Sequence, residues 1–386
     1  MIRRICKYIV FKMVYPLVYS LGRLRKVNAG KVLFVENHGD HISNDYQLMY
    51  DTLRQRGYEV KMHYLGMSTS SWGTIIQKTI ALLWDMSTAQ CVFLNESNSV
   101  FGAFTVRKST KIVQLWHACG AFKRWGFSVA DKSFGDDQKD LERYSGHRNY
   151  DLVSVSGQAV CWAYEEAFGL QNRPDVVKAL GVSRTDVYFL KERKQEAFER
   201  LKQFDKEIFA SKLDGRKIIL YAPTFRGDIR GAKSPDKLDL QILSRLADHY
   251  VLFVKQHPFV KEQFPIAEEY KNFCVEIDKE LSVEELLIVS DICITDYSSI
   301  VFEYSLMRRP MLFFAYDMEE YYDERGFYYP YKEFVPGPVV RTTEEIVQQI
   351  ENIETYDVAM VESFCNRYMQ SCDGHSTDRI LDYVLD

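Results

Sequence analysis

The stretch DICITDYSSIVFEYSLMRRPMLFFAYD, from Asp291 to Asp317, places two short apolar runs, ICIT and MLFF, on either side of a helix-forming segment that starts at Ser298 or Ser299. An apolar run without alternation fits a strand buried on both faces, and a helix between two such strands forces them parallel. The pattern repeats outward in both directions. Towards the C-terminus come GPVV and then a polar helical stretch from about Tyr356. Towards the N-terminus come a helix at 283–289, FCVEI, YVLFVKQHP, a helix near 237–248, and KIILYAPT at 217–224. A charged, helix-like stretch from Lys191 to Lys212 interrupts the rhythm. Before it the alternation runs through KVLFVE (31–36), a helix over 44–56, YEVKMHYL, a helix over 74–84, CVFLN, KIVQLWH, LVSVS (152–156) and a helix over 158–168. The sequence therefore predicts an α/β chain with two doubly wound, Rossmann-like domains facing a cleft, with ligands at the carboxyl ends of the strands. The expected organisation is an N-terminal segment over 1–27, a first domain over 28–190, a second over 191–355, and a closing helical segment over 356–386.

Composition narrows the class. The 386 residues are enough for two domains. A net charge of −5 argues against a general nucleic-acid binder. The eight cysteines are scattered without metal-ligand spacing. Cys6, Cys91, Cys161, Cys274 and Cys293 lie in apolar runs and read as buried reduced thiols of a reducing compartment. The segment 1–27 stands apart: Arg3, Arg4, Lys7, Lys12, Arg23, Arg25 and Lys26 are basic, and the first carboxylate is Glu36. Lys7 and Lys12 break its apolar content, so the expectation is a basic amphipathic helix lying on an anionic membrane surface or on the protein itself, rather than a span.

The strand ends carry the chemistry. KIVQLWH delivers His117, followed by the small residues Ala118, Cys119 and Gly120 and the basic pair Lys123 and Arg124, as if an anion had to approach the imidazole. YAPTFRG offers Thr224 and Arg226, and VLFVKQHP offers Lys255 and His257 before Pro258 ends the ladder. After ICIT, Asp296, Ser298 and Ser299 either cap the next helix or leave its N–H groups to hold a phosphate, and Glu303 lies one turn on. Asp136, Asp137 and Asp140 read as a solvated acidic loop, so no metal site is expected. Tyr316, Asp317, Tyr321, Tyr322 and 328–331 read as half-buried loop residues, a lid, or an acceptor platform.

Taken together, WHACGAFK (116–123), APTFR (222–226), His257-Pro258, TDYSSIVFE (295–303) and CDGHSTDR (372–379) resemble the CDP-glycerol glycerophosphotransferase family. ENHGDHISNDYQLMYDTL (36–53) is similar to a further family segment, with His38 and Asp45 where other residues are usual. The resemblance implies a GT-B-like architecture and attack of an acceptor hydroxyl on the β-phosphorus of CDP-glycerol or CDP-ribitol, releasing CMP, with no cofactor. It implies His117 as general base and His257 holding or protonating the pyrophosphate. Thr224, Arg226, Ser298 and Ser299 would bind phosphates with Lys255 close by, Glu303 would meet a ribose or orient a neighbour, and Arg379 would complete the anionic site. The acceptor would be an undecaprenyl-diphosphate-linked saccharide at the cytoplasmic face of the cell membrane, with the enzyme bound peripherally. The size is similar to the primase type, which adds the first polyol phosphate. Ala118 and Cys119 depart from the usual pattern; a small residue suffices there, and the chemistry needs no thiol nucleophile. The competing readings are a nucleotide-sugar glycosyltransferase or epimerase of the same architecture, and a non-catalytic scaffold at the membrane surface.

Overall fold

The computed structural model describes residues 2–385 except Asp131, Ser133, Phe134, Asp136 and 228–230, and leaves aside the side chains of 2–4 and 322–325. Of the residues singled out above, Asp136 and the side chains of Arg3, Arg4 and Tyr322 lie outside the described residues.

The first unit comprises Met1–Cys119, Arg124–Val187 and Gln370–Asp386. Its parallel sheet is built from β1 (Asn28–Glu36), β2 (Glu59–Tyr64), β3 (Ala89–Leu94), β4 (Lys111–Gln114), β5 (Leu152–Ser154) and β6 (Val177–Lys178), in the order β2-β1-β3-β4-β5-β6. The chain thus winds one way from β1 to β2 and the other way from β3 onward, opening a crevice at the carboxyl ends of β1 and β3. Val32, Phe34, Phe93, Val113 and Leu152 pack against Tyr46, Met49 and Leu53 of the helix Asn44–Gln55. Ile380, Leu381 and Val384 of the last helix, Ser376–Leu385, fill the same core.

The second unit comprises Gly120–Lys123 and Tyr188–Met369. Its parallel sheet is built from β7 (Lys217–Tyr221), β8 (Tyr250–Val254), β9 (Cys274–Glu276), β10 (Ile292–Thr295), β11 (Met311–Phe314) and β12 (Val339–Val340), in the order β12-β11-β10-β7-β8-β9. The winding reverses between β7 and β10. Local signals set the helix starts: Ser282 and Glu285 exchange hydrogen bonds at the head of Val283–Val289, as Thr342 and Glu345 do before Thr343–Glu351.

Three expectations are corrected here. The stretch 356–386 does not form one segment: the helix Val358–Tyr368 belongs to the second unit and Ser376–Leu385 to the first. The latter is seated by the Asp186 carboxylate, which accepts from the main-chain N–H groups of Ser376 (3.0 Å) and Thr377 (2.7 Å) and from the Thr377 hydroxyl (2.8 Å). In the Tyr-rich stretch Tyr316 and Tyr329 are half-buried as expected, but part of it is core of the second unit. Tyr321, Phe327, Tyr328 and Tyr331 are buried, and Tyr297 stacks on Tyr321 at 4.0 Å between ring centres. Finally, Ile5–Gly22 is long and apolar enough to cross a membrane by composition, because only Lys7 and Lys12 interrupt it. Phe11, Tyr15, Tyr19 and Gly22 of this helix are nevertheless packed into the first unit, where Tyr19 meets Phe104 and Phe11 meets Tyr144.

The smallness of Gly120 has a structural cause. Its φ is +62°, and a Cβ there would lie 2.1 Å from the Phe302 ring. Gly120→Ala is expected to cost about 2–4 kcal/mol from backbone strain plus overpacking, read as a fall in the denaturation midpoint. Gly57→Ala, at φ +84° with nothing within 4 Å of the new Cβ, isolates the backbone part and should cost only about 1–2 kcal/mol. Equal losses at the two positions would exclude the Phe302 clash as the cause.

Candidate active site

In the first unit, β4 ends at Gln114 and the chain turns sharply. Trp116 adopts φ +59°, a left-handed conformation that is costly for a bulky aromatic residue. Gln114 holds the turn: its Oε1 accepts the Trp116 N–H at 2.8 Å, while its amide donates to the Glu96 carbonyl and to the Tyr150 hydroxyl. The turn projects His117 into an exposed position with the Trp116 ring stacked on it at 4.3 Å. His117 Nδ1 lies 3.0 Å from the Asn95 main-chain oxygen. A carbonyl can only accept, so Nδ1 carries a proton, and in the neutral form of the ring the lone pair is on Nε2.

Asn95 is itself fixed across the crevice. Its amide nitrogen donates to Glu36 Oε2 (3.2 Å), Ser43 Oγ (3.1 Å) and Asp45 Oδ2 (3.3 Å), and the buried Glu36 takes the Ser43 N–H on its other oxygen. Arg184 Nη1 donates to both Asp45 Oδ1 and the His117 carbonyl, each at 2.8 Å.

The second unit has a matching arrangement where its winding reverses. Asp296, after β10, is buried and reaches across to β7: Oδ1 accepts from the Thr224 N–H and hydroxyl (2.8 Å each) and from the Tyr297 N–H (2.6 Å). Arg226 Nη1 lies 2.9 Å from Asp296 Oδ2, a contact held by charge rather than by hydrogen-bond geometry. The same guanidinium grips Asp317 with Nε (2.5 Å) and Nη2 (3.0 Å). Burial works against its charge, but Asp296 and Asp317 outweigh that and push its pKa above the usual value. Arg226 therefore serves as a strut between two carboxylates, and Thr224 is a partner of Asp296.

His257 follows β8. Its Nδ1 accepts the Phe259 N–H at 3.2 Å, with Phe225 and Phe259 packed on the ring at 4.8 and 4.7 Å. Burial, followed by the nearby Lys123, lowers its pKa, so the ring is neutral at pH 7 with its proton on Nε2. The two histidines thus present opposite nitrogens: His117 a lone pair, His257 a donor. Lys255 gives its ammonium to the Asp278 carbonyl, and burial lowers its pKa as well. Ser298 Oγ accepts the Ile300 N–H at 3.3 Å, the helix begins at Ile300, and Ser299 precedes it without a side-chain cap; Asp296 is no cap. Glu303 is buried on that helix.

Several sequence expectations change role. Arg379 is occupied within the first unit, donating to the Leu180 and Ser371 carbonyls and pairing with Asp373. Lys123 donates to the Tyr321 hydroxyl at 2.9 Å, and Arg124 pairs with Glu166 at 3.3 Å, so the basic pair makes packing contacts. Asp137 caps the helix Gln138–Arg143. Cys119 is buried. Among the described residues no group of His, Cys, Asp and Glu is placed to hold a metal ion. Sequence reasoning missed Gln114, Asn95 and Arg184. The available signals were a polar Gln inside an apolar run, an Asn directly after CVFL, and the Arg of GVSRTD.

Residues 17–386 match the family model described as CDP-Glycerol:Poly(glycerophosphate) glycerophosphotransferase. The teichoic acid poly(ribitol-phosphate) polymerase of Bacillus spizizenii is 32% identical over 374 residues, covering 96% of this chain and 58% of the polymerase. The chain thus spans little more than half the length of that relative. The teichoic acid ribitol-phosphate primase of the same organism is 32% identical over 384 residues, covering 97% of this chain and 96% of the primase. In fold, the chain is similar to the wall teichoic acid polymerase TagF, with a TM-score of 0.72 at 22% identity over 99% of this chain and 95% of that one. Two parallel sheets with reversed winding, a histidine presented at a strand end in each unit, and a family match across nearly the whole length make this chain a member of the CDP-glycerol:poly(glycerophosphate) glycerophosphotransferase family.

Proposed function

We propose that this protein transfers a polyol phosphate from a CDP-linked polyol to a hydroxyl of a lipid-linked saccharide in wall teichoic acid synthesis. The observation that carries the reading is the His117 hydrogen bond to the Asn95 carbonyl, which reserves Nε2 as a base. Nε2 takes the proton of the acceptor hydroxyl as its oxygen bonds to the β-phosphorus. The bond from that phosphorus to the bridging oxygen breaks, and CMP leaves. His257, neutral and donating from Nε2, holds the pyrophosphate by a hydrogen bond rather than by giving up a proton. Ser298 and Ser299 offer hydroxyls, and Lys255 a cation, to the donor phosphates. Thr224 and Arg226 shape that edge through Asp296 and Asp317, Glu303 supports the ribose side, and Arg379 supports the first unit from behind. Transfer of this kind depends on positioning and charge stabilisation more than on covalent chemistry. The names of the ribitol-phosphate polymerase and primase described above favour CDP-ribitol over CDP-glycerol as donor.

The acceptor reading brings in the membrane surface. One face of the N-terminal helix is packed on the first unit, whereas Ile5, Ile9, Met13, Leu17 and Leu21 form an exposed row, with Lys12, Arg23 and Lys26 in the same segment. An apolar row beside basic groups fits the boundary of an anionic leaflet, where an undecaprenyl-diphosphate-linked acceptor would be found. This supports peripheral attachment at the cytoplasmic face.

The test of the reaction is CMP release from CDP-ribitol and CDP-glycerol with a lipid-linked disaccharide acceptor. His117→Ala and His117→Gln should both lower kcat by about 10²–10⁴-fold, since neither supplies a base. His257→Gln should keep clearly more activity than His257→Ala, because a carboxamide still donates a hydrogen bond. Equal losses for the two His257 variants would make that ring a proton donor instead, and activity retained without His117 would remove the base assignment. Replacing both Leu17 and Leu21 by Glu should weaken binding to phosphatidylglycerol vesicles at least about 10-fold, each lost leucine being worth roughly 1.5–3 kcal/mol of burial. Unchanged sedimentation with vesicles would rule out this face.

A further inference from the structure

We propose that Arg184, in concert with Asp45, is a positioning residue that fixes His117 as the base; the inference rests on the reading of His117 given above. His117 follows a residue in a strained backbone conformation, and such a turn persists only where its surroundings over-determine it. Gln114 holds the near side by accepting the Trp116 N–H. On the far side, Arg184 Nη1 donates to the His117 carbonyl and so fixes the backbone that carries the ring.

The same nitrogen is paired with Asp45 Oδ1, and the second oxygen of Asp45 accepts from Asn95, whose carbonyl selects the His117 tautomer. One ion pair thus bears on His117 twice, through its main chain and through its ring. The arrangement also has a rigid base. Arg184 lies in the turn Ser183–Phe189, and its neighbours Ser183 and Asp186 are bound to Thr377 of the buried C-terminal helix at 2.8 and 2.7 Å. The pair is only 17% and 11% exposed, so solvent screens it little. The pairing gives Asp45 a specific task, since its two oxygens serve Arg184 and Asn95 separately.

A displacement of about 1 Å at a catalytic base costs on the order of 10²-fold in rate. Arg184→Gln is therefore expected to lower kcat by about 30–100-fold while the KM for the CDP-polyol stays within about 2-fold, with Arg184→Lys in between. In the His117→Ala background, Arg184→Gln should have no further effect on kcat. In the enzyme labelled with ¹⁵N-histidine, the wild-type His117 signal should report protonation at Nδ1, and Arg184→Gln should shift it towards a mixture of tautomers. A rise in KM with kcat preserved, or an equal further loss in the His117→Ala background, would overturn the proposal, because Arg184 would then act on substrate or on folding. Should His117→Ala remain active, the base assignment falls separately. The ¹⁵N spectrum still decides the positioning: an unchanged Nδ1–H tautomer in Arg184→Gln refutes it and a mixture upholds it. If Arg184→Gln does not fold, Arg184→Lys and Asp45→Asn carry the same comparisons.

Discussion

The second unit depends on one buried carboxylate. A parallel sheet that reverses its winding leaves two neighbouring strands, β7 and β10, whose chains depart in opposite directions and expose unpaired groups between them. Asp296 closes that gap by accepting from the backbone and side chain of Thr224. Its charge requires a counterion in the interior, and Arg226 supplies it. The guanidinium has further N–H donors to satisfy, and Asp317, just after β11, accepts two of them. Tyr297 donates to Asp317 at 2.9 Å and Tyr331 to the Asp296 carbonyl at 2.9 Å, so the aromatic core is anchored to the same hub. Removing any one of these groups would leave a buried charge or donor without its partner, which costs far more than the net worth of the pair.

The first unit solves the same topological problem with an amide at the reversal. Glu36 ends β1, Asn95 follows β3, and an amide-to-carboxylate bond spans the reversal. A neutral amide leaves its main-chain carbonyl free to orient a neighbouring side chain, and here that neighbour is His117. The difference between the units is chemical: the second is held by a guanidinium between two carboxylates, and the first by an amide whose carbonyl meets the His117 ring. The two histidines follow the same division. Each has Nδ1 committed to a main-chain group, one to a carbonyl and one to an N–H, which puts the proton of a neutral ring on Nδ1 in His117 and on Nε2 in His257.

The ends of the chain are structural parts of the first unit. The last helix supplies Ile380, Leu381 and Val384 to its core and is held by Asp186 two residues beyond Arg184. The first helix contributes Phe11, Tyr15 and Tyr19 while keeping a row of aliphatic side chains exposed. A face that is apolar and left outward is costly in water unless something covers it.

Much of this could be read directly from the sequence, because strands buried on both faces must be continuously apolar and helices must carry their own caps. ICIT, MLFF, YVLFV and KVLFV announced the two parallel sheets, and the helix at 283–289 was legible to the residue. The histidines were legible because each stands where an apolar run stops. Local pattern could not say which polar residues meet, since Thr224 and Asp296 are 72 residues apart, and Arg184 and Asp45 139. Read singly, Arg226 looked like an anion ligand and Arg379 like another, since a free guanidinium is one. The partners of Arg226, Asp296 and Asp317, appear only when the strands are laid side by side, whereas Asp373 lies six residues from Arg379 and meets it through the turn between them. Gly120 looked like space cleared for a ligand and is instead the seat of Phe302. Sequence determined the layers and the residues at their edges; tertiary structure decided which of those residues are already satisfied by one another, because a charge is spoken for only once its partner is within reach.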